Sequence, residues 1–266
     1  MTQYTILSKM NRIDQLFQAK KERVLNVYFT AGYPQLHDTV TIIEALEKSG
    51  ADLIEIGIPY SDPIADGPTI QESNGVALAN GMSLKVLFSQ LNDIRAKVKV
   101  PIVLMGYVNP IVQYGMEAFC AKCEEVGVDG VILPDLPMFE YTSYYKPMFE
   151  KHGLYNVFLI TPQTSEARIR EIDDNSNGFI YMVSSASTTG AKTSISIGQS
   201  DYFARIKSMN LKNPTLIGFG ISNAETFDKA CENANGAIIG SAFIKAISEE
   251  GDLEKNIEGF VKSVID

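Results

Sequence analysis

Two acidic positions in this 266-residue chain have side chains and surroundings suited to acid–base chemistry. Glu55 lies in the apolar run DLIEIGI, and Asp66 follows in the segment SDPIADGPT. In an extended strand, Ile54, Ile56 and Ile58 share one face and Glu55 lies on the other. Because the isoleucine face should meet a layer of helices, the pattern predicts that Glu55 points into the interior of the fold.

An isolated carboxyl group in such an interior is costly to ionise, so its pKa should rise towards neutrality, where a group can both donate and accept a proton. The alternative is a structural Glu55 paired with a buried lysine or arginine, although the apolar strand segments contain neither. The choice between Asp62 and Asp66 is open at this point, because either could be a turn residue. We expect at least one of them to fold back over Glu55.

Three glycine-bearing turns suggest a site for a phosphate group. Bare backbone amides at the N-termini of helices attract anions without basic side chains, which agrees with a net charge of -9. The residues concerned are Gly218, Gly220 and an expected helix N-cap at Ser222 in GFGISNAE, Gly240 and Ser241 in GSAFIK, and Thr189 and Gly190 in SSASTTGAK.

Eight short apolar runs, each followed by a polar turn and a helical pattern, must position these residues. They are LNVYFT, DLIEIGI, PIVLMGY, GVILPD, NVFLIT, GFIYMVS, TLIGFG and GAIIG. Repeated strand–helix units indicate parallel strands with right-handed crossovers, and eight of them predict a single (β/α)8 TIM barrel spanning residues 1–266. Ile13, Leu16 and Phe17 predict an extra N-terminal helix across the barrel bottom. Active sites of this fold lie at the carboxyl ends of the strands, and phosphate is usually bound after strands 7 and 8.

Two connections look long for this fold. One is IPYSDPIADGPTIQESNGVALANG after the second strand, and the other is SSASTTGAKTSISIGQS after the sixth. Long loops in compact domains are often functional, and the second has the composition of a mobile lid. The alternative is that both are variable surface loops.

Composition argues against several classes of protein. The chain is acidic and has no cluster of basic residues, which argues against binding to nucleic acid. The sequence also has neither a secretory signal nor an apolar membrane span, so we expect a cytoplasmic protein.

The cysteines do not form a recognisable site. Cys120 and Cys123 form a C-x-x-C within a helical pattern, and Cys231 leaves an odd number of thiols. Since His37 and His152 are the only imidazoles and lie in polar, helix-like segments, we predict no metal or disulfide site.

Taken together, these segments resemble the tryptophan synthase alpha chain family over essentially the whole length. LIEIGIPYSDPIADGPTIQ is the most specific stretch, and VYFTAGYP, VLMGYVNPI, GVILPDLP, GFGIS and GSAFIK match in order and spacing. The resemblance implies retro-aldol cleavage of indole-3-glycerol phosphate to indole and glyceraldehyde 3-phosphate in L-tryptophan biosynthesis, without metal or organic cofactor. It also implies an alpha2beta2 heterotetramer, in which a PLP-dependent beta chain receives the indole through a tunnel.

The resemblance further implies roles for individual residues. Glu55 would protonate indole C3 and take the proton of the C3′ hydroxyl, Asp66 would bind the ring N–H, and Tyr181 would support Glu55 and the substrate. The phosphate would be held by Thr189, Gly190, Gly218, Gly220, Gly240 and Ser241. The indole ring would contact Tyr28, Met105 and Phe219, although ordinary barrel packing also explains these three. Contact with the partner is implied for Pro59, Asp62, Asn109, Asp135 and Pro137.

The sequence departs from many family members at Ser185 and Ser187 in the predicted lid and, mildly, at Tyr60. Three other functions stay open at this point. They are a free-standing indole-glycerol-phosphate lyase, a non-catalytic barrel that activates a PLP-dependent partner, and another phosphate-binding barrel of amino-acid biosynthesis. The last group often uses a lysine at a strand end, which the strand segments here do not contain.

Overall fold

A computed structural model describes residues 10–64, 66–183, 197–218 and 220–266. Strands and helices alternate along these ranges. The strands are β1 (Val24–Thr30), β2 (Leu53–Gly57), β3 (Ile102–Met105), β4 (Gly130–Ile132), β5 (Tyr155–Val157), β6 (Leu159–Ile160), β7 (Ile180–Val183), β8 (Thr215–Gly218) and β9 (Gly236–Ile239).

Helices cover most of the intervening sequence. They are α1 (Arg12–Ala19), α2 (Asp38–Ser49), α3 (Pro68–Ala79), α4 (Leu84–Leu91), α5 (Val108–Tyr114), α6 (Met116–Val126), α7 (Met138–Glu140), α8 (Lys146–Lys151), α9 (Glu166–Asn175), α10 (Ile197–Ser208), α11 (Ala224–Cys231), α12 (Ser241–Ile247) and α13 (Leu253–Ile265). A short 3-10 turn spans Ile94–Ala96, and a π-helical turn at Tyr141–Tyr145 joins α7 to α8.

The strands of the described residues form one parallel sheet in the order β5-β4-β3-β2-β1-β9-β8-β7-β6. Its two end strands, β5 and β6, follow each other along the chain with only Phe158 between them. They are therefore two halves of one strand position, and the sheet is a nearly closed barrel. The predicted (β/α)8 architecture is confirmed, with the fifth predicted strand interrupted at Phe158, whose carbonyl accepts a hydrogen bond from Tyr181 N at 2.9 Å.

Apolar side chains fill both faces of the barrel wall, as parallel strands covered by helices require. Ile54 and Ile56 belong to the larger cluster between the strands and the helices. A smaller cluster fills the barrel itself. Its buried members are Ile13, Phe17, Val24, Leu53, Val103, Ile132, Val157, Phe179, Tyr181, Leu216 and Ile238.

Helix α1 closes the end of the barrel at which the strands begin, as predicted. Asn11 caps the helix, its Oδ1 accepting a hydrogen bond from Ile13 N at 2.9 Å. Ile13 and Phe17 enter the inner cluster, and the ring of Phe17 lies 6.2 Å from that of Phe179. Gly178 leaves room for this contact, because a Cβ atom there would lie 3.0 Å from a methyl group of Ile13.

A buried ion-pair network fastens the same end. The Asp129 carboxylate, just before β4, accepts hydrogen bonds from Arg12 at 2.8 Å and from Arg95 at 2.6 Å. It also accepts the backbone N–H of Ile102 at 2.9 Å. One carboxylate thus joins α1, the 3-10 turn and the beginning of β3.

The connection after β2 is not the long loop that the sequence predicted, because α3 occupies half of it and begins at Pro68. A proline fits the first position of a helix, where its missing N–H would have no partner anyway, and Gly67 provides the N-cap. Inside α3, the Ser73 hydroxyl lies 2.7 Å from that of Thr30 on β1. The other long connection was predicted over 184–200. Its residues 184–196 lie outside the described residues, and its last four residues are not loop but the first turn of α10.

Candidate active site

Glu55 lies inside the barrel, as strand alternation predicted. Its side chain is 1% exposed, and its strand neighbours Ile54 and Ile56 face the helices instead. One carboxyl oxygen, Oε2, accepts a hydrogen bond from Asn26 Nδ2 at 2.9 Å. The other, Oε1, is buried without a hydrogen-bond partner among the described residues.

The surroundings of Glu55 favour its protonated form. Burial, helped by the negative charge of Asp66, raises the pKa of Glu55 to about 8, while the hydrogen bond from Asn26 opposes that rise. No basic side chain in the described part of the chain forms an ion pair with Glu55. The predicted rise is therefore present, and Glu55 can exchange a proton near neutral pH.

Asp66, and not Asp62, is the aspartate whose charge acts on Glu55. Asp66 is partly buried, with Asn74 Nδ2 of α3 at 3.5 Å from its Oδ2. Burial raises the pKa of Asp66, whereas hydrogen bonds from Tyr107 and Asn74 favour its ionised form. Asp62 is exposed and accepts a hydrogen bond from the neighbouring Ser61. Of the two aspartates, Asp66 therefore has the partly buried position near Glu55, and Asp62 lies at the surface.

Two tyrosines extend over the barrel interior next to this pair. A Cβ atom on Gly57 would lie 2.1 Å from the Tyr28 hydroxyl, and one on Gly218 would lie 2.3 Å from the Tyr181 hydroxyl. Each phenol therefore occupies space left by a glycine on the neighbouring strand. Burial raises the pKa of both tyrosines above its ordinary value, and the charge of Glu55 adds to the rise. Both phenols stay protonated and can donate hydrogen bonds.

Met105 occupies the carboxyl end of β3, opposite Gly57 in the strand register. It is partly buried and contacts both apolar clusters. Its contribution to a pocket for an aromatic ring stays a prediction. Phe219, the third predicted member of the pocket, lies outside the described residues.

The glycine turns after β8 and β9 are at the same end of the barrel. Gly220 has φ +80°, a left-handed conformation that suits glycine, and a Cβ atom there would meet nothing within 4 Å. Gly240 is the N-cap of α12, which begins at Ser241 as predicted. Helix α11 instead begins after Asn223 and not after the predicted Ser222, because Asn223 and Thr226 form a reciprocal capping box.

Gly218 ends β8, and the ring of Tyr28 comes within 3.4 Å of where a Cβ atom on Gly240 would lie. The predicted phosphate turns are therefore next to the predicted ring pocket. Thr189 and Gly190, and the divergent Ser185 and Ser187, lie outside the described residues.

The residues predicted to contact a partner have different environments. Asp62, Asn109 and Pro137 are exposed, whereas Pro59 is buried. The Asp135 carboxylate accepts the backbone N–H of Val108 at 3.0 Å and 3.1 Å, so it caps the beginning of α5. Asn109 donates to the Tyr60 hydroxyl at 3.2 Å.

Sequence reasoning missed three polar neighbours of the acidic pair. Asn26 could have been found by the alternation rule, because it shares a strand face with Tyr28. Asn74 and Tyr107 carry no such signal, since each comes from an element whose approach depends on the folded chain.

The three cysteines have no disulfide partner in the described part of the structure. Cys120 and Cys123 are buried free thiols in α6, and Cys231 is partly buried. No group of three histidine, cysteine, aspartate or glutamate side chains in the described ranges could hold a metal ion. No helix within those ranges is long and apolar enough to cross a membrane.

Comparison with known proteins gives one consistent family. A family model described as tryptophan synthase alpha chain matches residues 15–264. The tryptophan synthase alpha chain of Flavobacterium johnsoniae is 62% identical over 242 residues, covering 91% of this chain and 95% of that protein. That of Flavobacterium psychrophilum is 60% identical over 255 residues, covering 96% and 100%.

Solved structures agree with the sequence comparison. Tryptophan synthase subunit alpha from Legionella pneumophila has a TM-score of 0.86 at 36% identity, covering 96% of this chain and 97% of that one. A tryptophan synthase complex from Pyrococcus furiosus gives 0.84 at 37% identity, covering 92% and 99%. Since the family model, the curated relatives and the solved structures all agree, this chain belongs to the tryptophan synthase alpha chain family, the aldolase-type lyases of tryptophan biosynthesis.

Proposed function

We propose that this chain performs the reaction of its family through Glu55 and Asp66, cleaving indole-3-glycerol phosphate to indole and glyceraldehyde 3-phosphate. The observation that carries the assignment of residues is the buried Glu55 carboxyl, whose pKa of about 8 leaves it mostly protonated at neutral pH, with Asp66 beside it. An acid of that strength can give a proton to carbon and then act as a base within the same cycle.

The steps balance with these two groups. Glu55 protonates C3 of the indole ring, and Asp66 accepts a hydrogen bond from the ring N–H and stabilises the resulting indolenine cation. The C3–C3′ bond then breaks, its electron pair neutralises the cation, and the C3′ hydroxyl gives its proton back to Glu55. Tyr181, over the same interior, supports Glu55 and the substrate. The chain itself then needs no metal or organic cofactor, and PLP belongs to the beta chain.

The phosphate group would bind where the turns after β8 and β9 meet. Gly218, Gly220, Gly240 and Ser241 offer backbone amides there without a basic side chain, and Thr189 and Gly190 complete the predicted cradle. The adjacent Tyr28 and Met105, with Phe219, would hold the indole ring.

We also propose that the chain works in the cytoplasm with a PLP-dependent beta chain in an alpha2beta2 assembly. Support comes from large apolar side chains exposed on the three segments predicted to contact a partner. Ile64 near Asp62 is 80% exposed, Val112 in the helix of Asn109 is 52% exposed, and Phe139 near Pro137 is 68% exposed. These segments follow the adjacent strands β2, β3 and β4, and exposed apolar groups of this kind mark interaction surfaces.

The test is release of indole from indole-3-glycerol phosphate, measured with and without a beta chain. We expect activity that rises on adding the beta chain, and losses of about a hundredfold or more in Glu55→Gln and Asp66→Asn. Full activity in Glu55→Gln would contradict the mechanism. High activity that no beta chain changes would instead support a free-standing lyase.

A further inference from the structure

We propose that Asn26 is a positioning residue for Glu55, holding one carboxyl oxygen from the neighbouring strand so that the other is presented to the substrate. The inference rests on the proposed function of Glu55 as the acid and base. Asn26, on β1, would join the catalytic site by acting through Glu55, without touching the reacting atoms.

The contact joins two side chains that are both enclosed. Asn26 is 0% exposed and Glu55 1% exposed, and Asn26 Nδ2 lies 2.9 Å from Glu55 Oε2. In the sheet, Asn26 pairs with Leu53 on one side and with Ile238 on the other, and both belong to the inner apolar cluster. The amide is thus a polar group in a layer that apolar side chains otherwise fill.

A buried asparagine at this position lowers the stability of the fold, a cost that its hydrogen bond to Glu55 would explain. Its Oδ1 has no hydrogen-bond partner among the described residues, and a buried polar atom without a partner destabilises a fold. A leucine of similar size would suit the surrounding layer better. The hydrogen bond to Glu55 is the side-chain contact that distinguishes asparagine from such a residue.

The contact has a chemical consequence for the proton transfers. A hydrogen bond from an amide N–H to a carboxylate is charge-assisted, so it is stronger than any bond between the amide and the neutral carboxyl group. Asn26 therefore favours ionised Glu55, whereas the other titratable groups facing it, Asp66, Tyr28 and Tyr181, provide no positive charge. When Glu55 has given its proton to C3, the amide holds Oε2 and stabilises the carboxylate.

The first measurement needs no substrate. Carbon-13 NMR follows the Glu55 δ-carbon through a pH titration, with the resonance identified by its loss in Glu55→Gln. In Asn26→Leu we expect the titration midpoint to move up by about one pH unit, because a bond that favours the ionised form is removed. Asn26→Val, which favours a strand and has no hydrogen-bond donor in its side chain, should also raise the midpoint and serves if the leucine variant does not fold.

The second measurement separates positioning from binding. We expect Asn26→Leu to lower kcat about tenfold or more with a smaller change in KM, and to move the alkaline limb of the kcat–pH profile to higher pH.

Asn156→Leu is the matched control. Asn156 on β5 is 1% exposed, its side-chain nitrogen and oxygen lack partners in the described part of the chain, and it lies on the face opposite Val157 of the inner cluster. This variant should leave the Glu55 midpoint unchanged.

The positioning role of Asn26 and the proposed function of Glu55 can fail separately. An unchanged or lowered Glu55 midpoint in both Asn26 variants, or a change in KM alone, would overturn the positioning role while Glu55→Gln stays inactive. If Glu55→Gln kept full activity, the proposed function would fail whatever the NMR titration showed.

Discussion

The phenol of Tyr28 fills the space that a side chain at Gly57 would need. A Cβ atom on Gly57 would lie 2.1 Å from the Tyr28 hydroxyl oxygen and 2.6 Å from its ring carbon Cζ. Gly57 ends β2, two residues after Glu55. The glycine and Tyr28 together therefore determine how much space is available above the Glu55 carboxyl group. Tyr181 and Gly218 repeat the arrangement between β7 and β8.

We predict that Gly57→Ala displaces Tyr28 and lowers the free energy of unfolding by about 1–3 kcal/mol, as overpacking of a core does. Tyr28 is buried, and its ring cannot turn away freely. Urea unfolding measures the loss. The double variant Gly57→Ala with Tyr28→Leu should recover much of the stability, and equal losses in the single and double variants would contradict the steric account.

The inward position of Glu55 could be predicted from sequence because alternation along a strand is a local property. The choice of Asp66 over Asp62 could not, since it depends on Asn74 and Tyr107 arriving from α3 and from the end of β3. The resemblance to the family points to Asp66, whereas the residue types alone do not distinguish Asp66 from Asp62.

The same distinction, between local and long-range information, explains where the predicted fold differs from the structure. The predicted loop after β2 was wrong because turn residues such as Pro68 and Gly67 also begin helices. The break at Phe158 has no local signal, because an apolar residue within an apolar run gives no sign of an interruption.

We predict that Glu55 makes the stability of the fold depend on pH. Burial raises the pKa of Glu55 from its ordinary 4.5 to about 8, so the folded chain binds more protons than the unfolded chain between these values. This stabilisation is complete below about pH 4.5 and is lost as the pH rises through 8. Burial acts in the same direction on Asp66.

Urea unfolding of the parent chain and of Glu55→Gln at pH 5, 7 and 8.5 checks this prediction. The glutamine cannot ionise, so the variant should become more stable relative to the parent as the pH rises, by a few kcal/mol over the range. Parallel curves for the two proteins would show that the buried carboxyl group does not titrate between these pH values.

We predict that Asp129→Asn is among the more destabilising single changes, costing about 3–5 kcal/mol. The change removes the charge that balances Arg95, whose side chain is 16% exposed, and Arg12 loses its ion pair as well. Chemical unfolding measures the effect. Glu258→Gln is the control, because Glu258 and Lys262 form an exposed pair on α13, and such pairs contribute little. If the two variants were equally stable, burial of the Asp129 carboxylate would not make its ion pairs more important for stability than an exposed pair.

The exposed aromatic side chains after β4 give a last prediction, which concerns the proposed beta chain. Phe139 is 68% exposed, and its ring lies 6.4 Å from that of Tyr144, itself 65% exposed. Large rings that a partner buries often dominate the affinity of an interface. We expect Phe139→Asp to weaken binding of the beta chain about tenfold or more, measured by titration calorimetry. Met10→Asp is the matched control, because Met10 is 47% exposed but lies beside α1 at the opposite end of the barrel. If both variants bound the beta chain as tightly as the parent, the partner would have to contact a different surface.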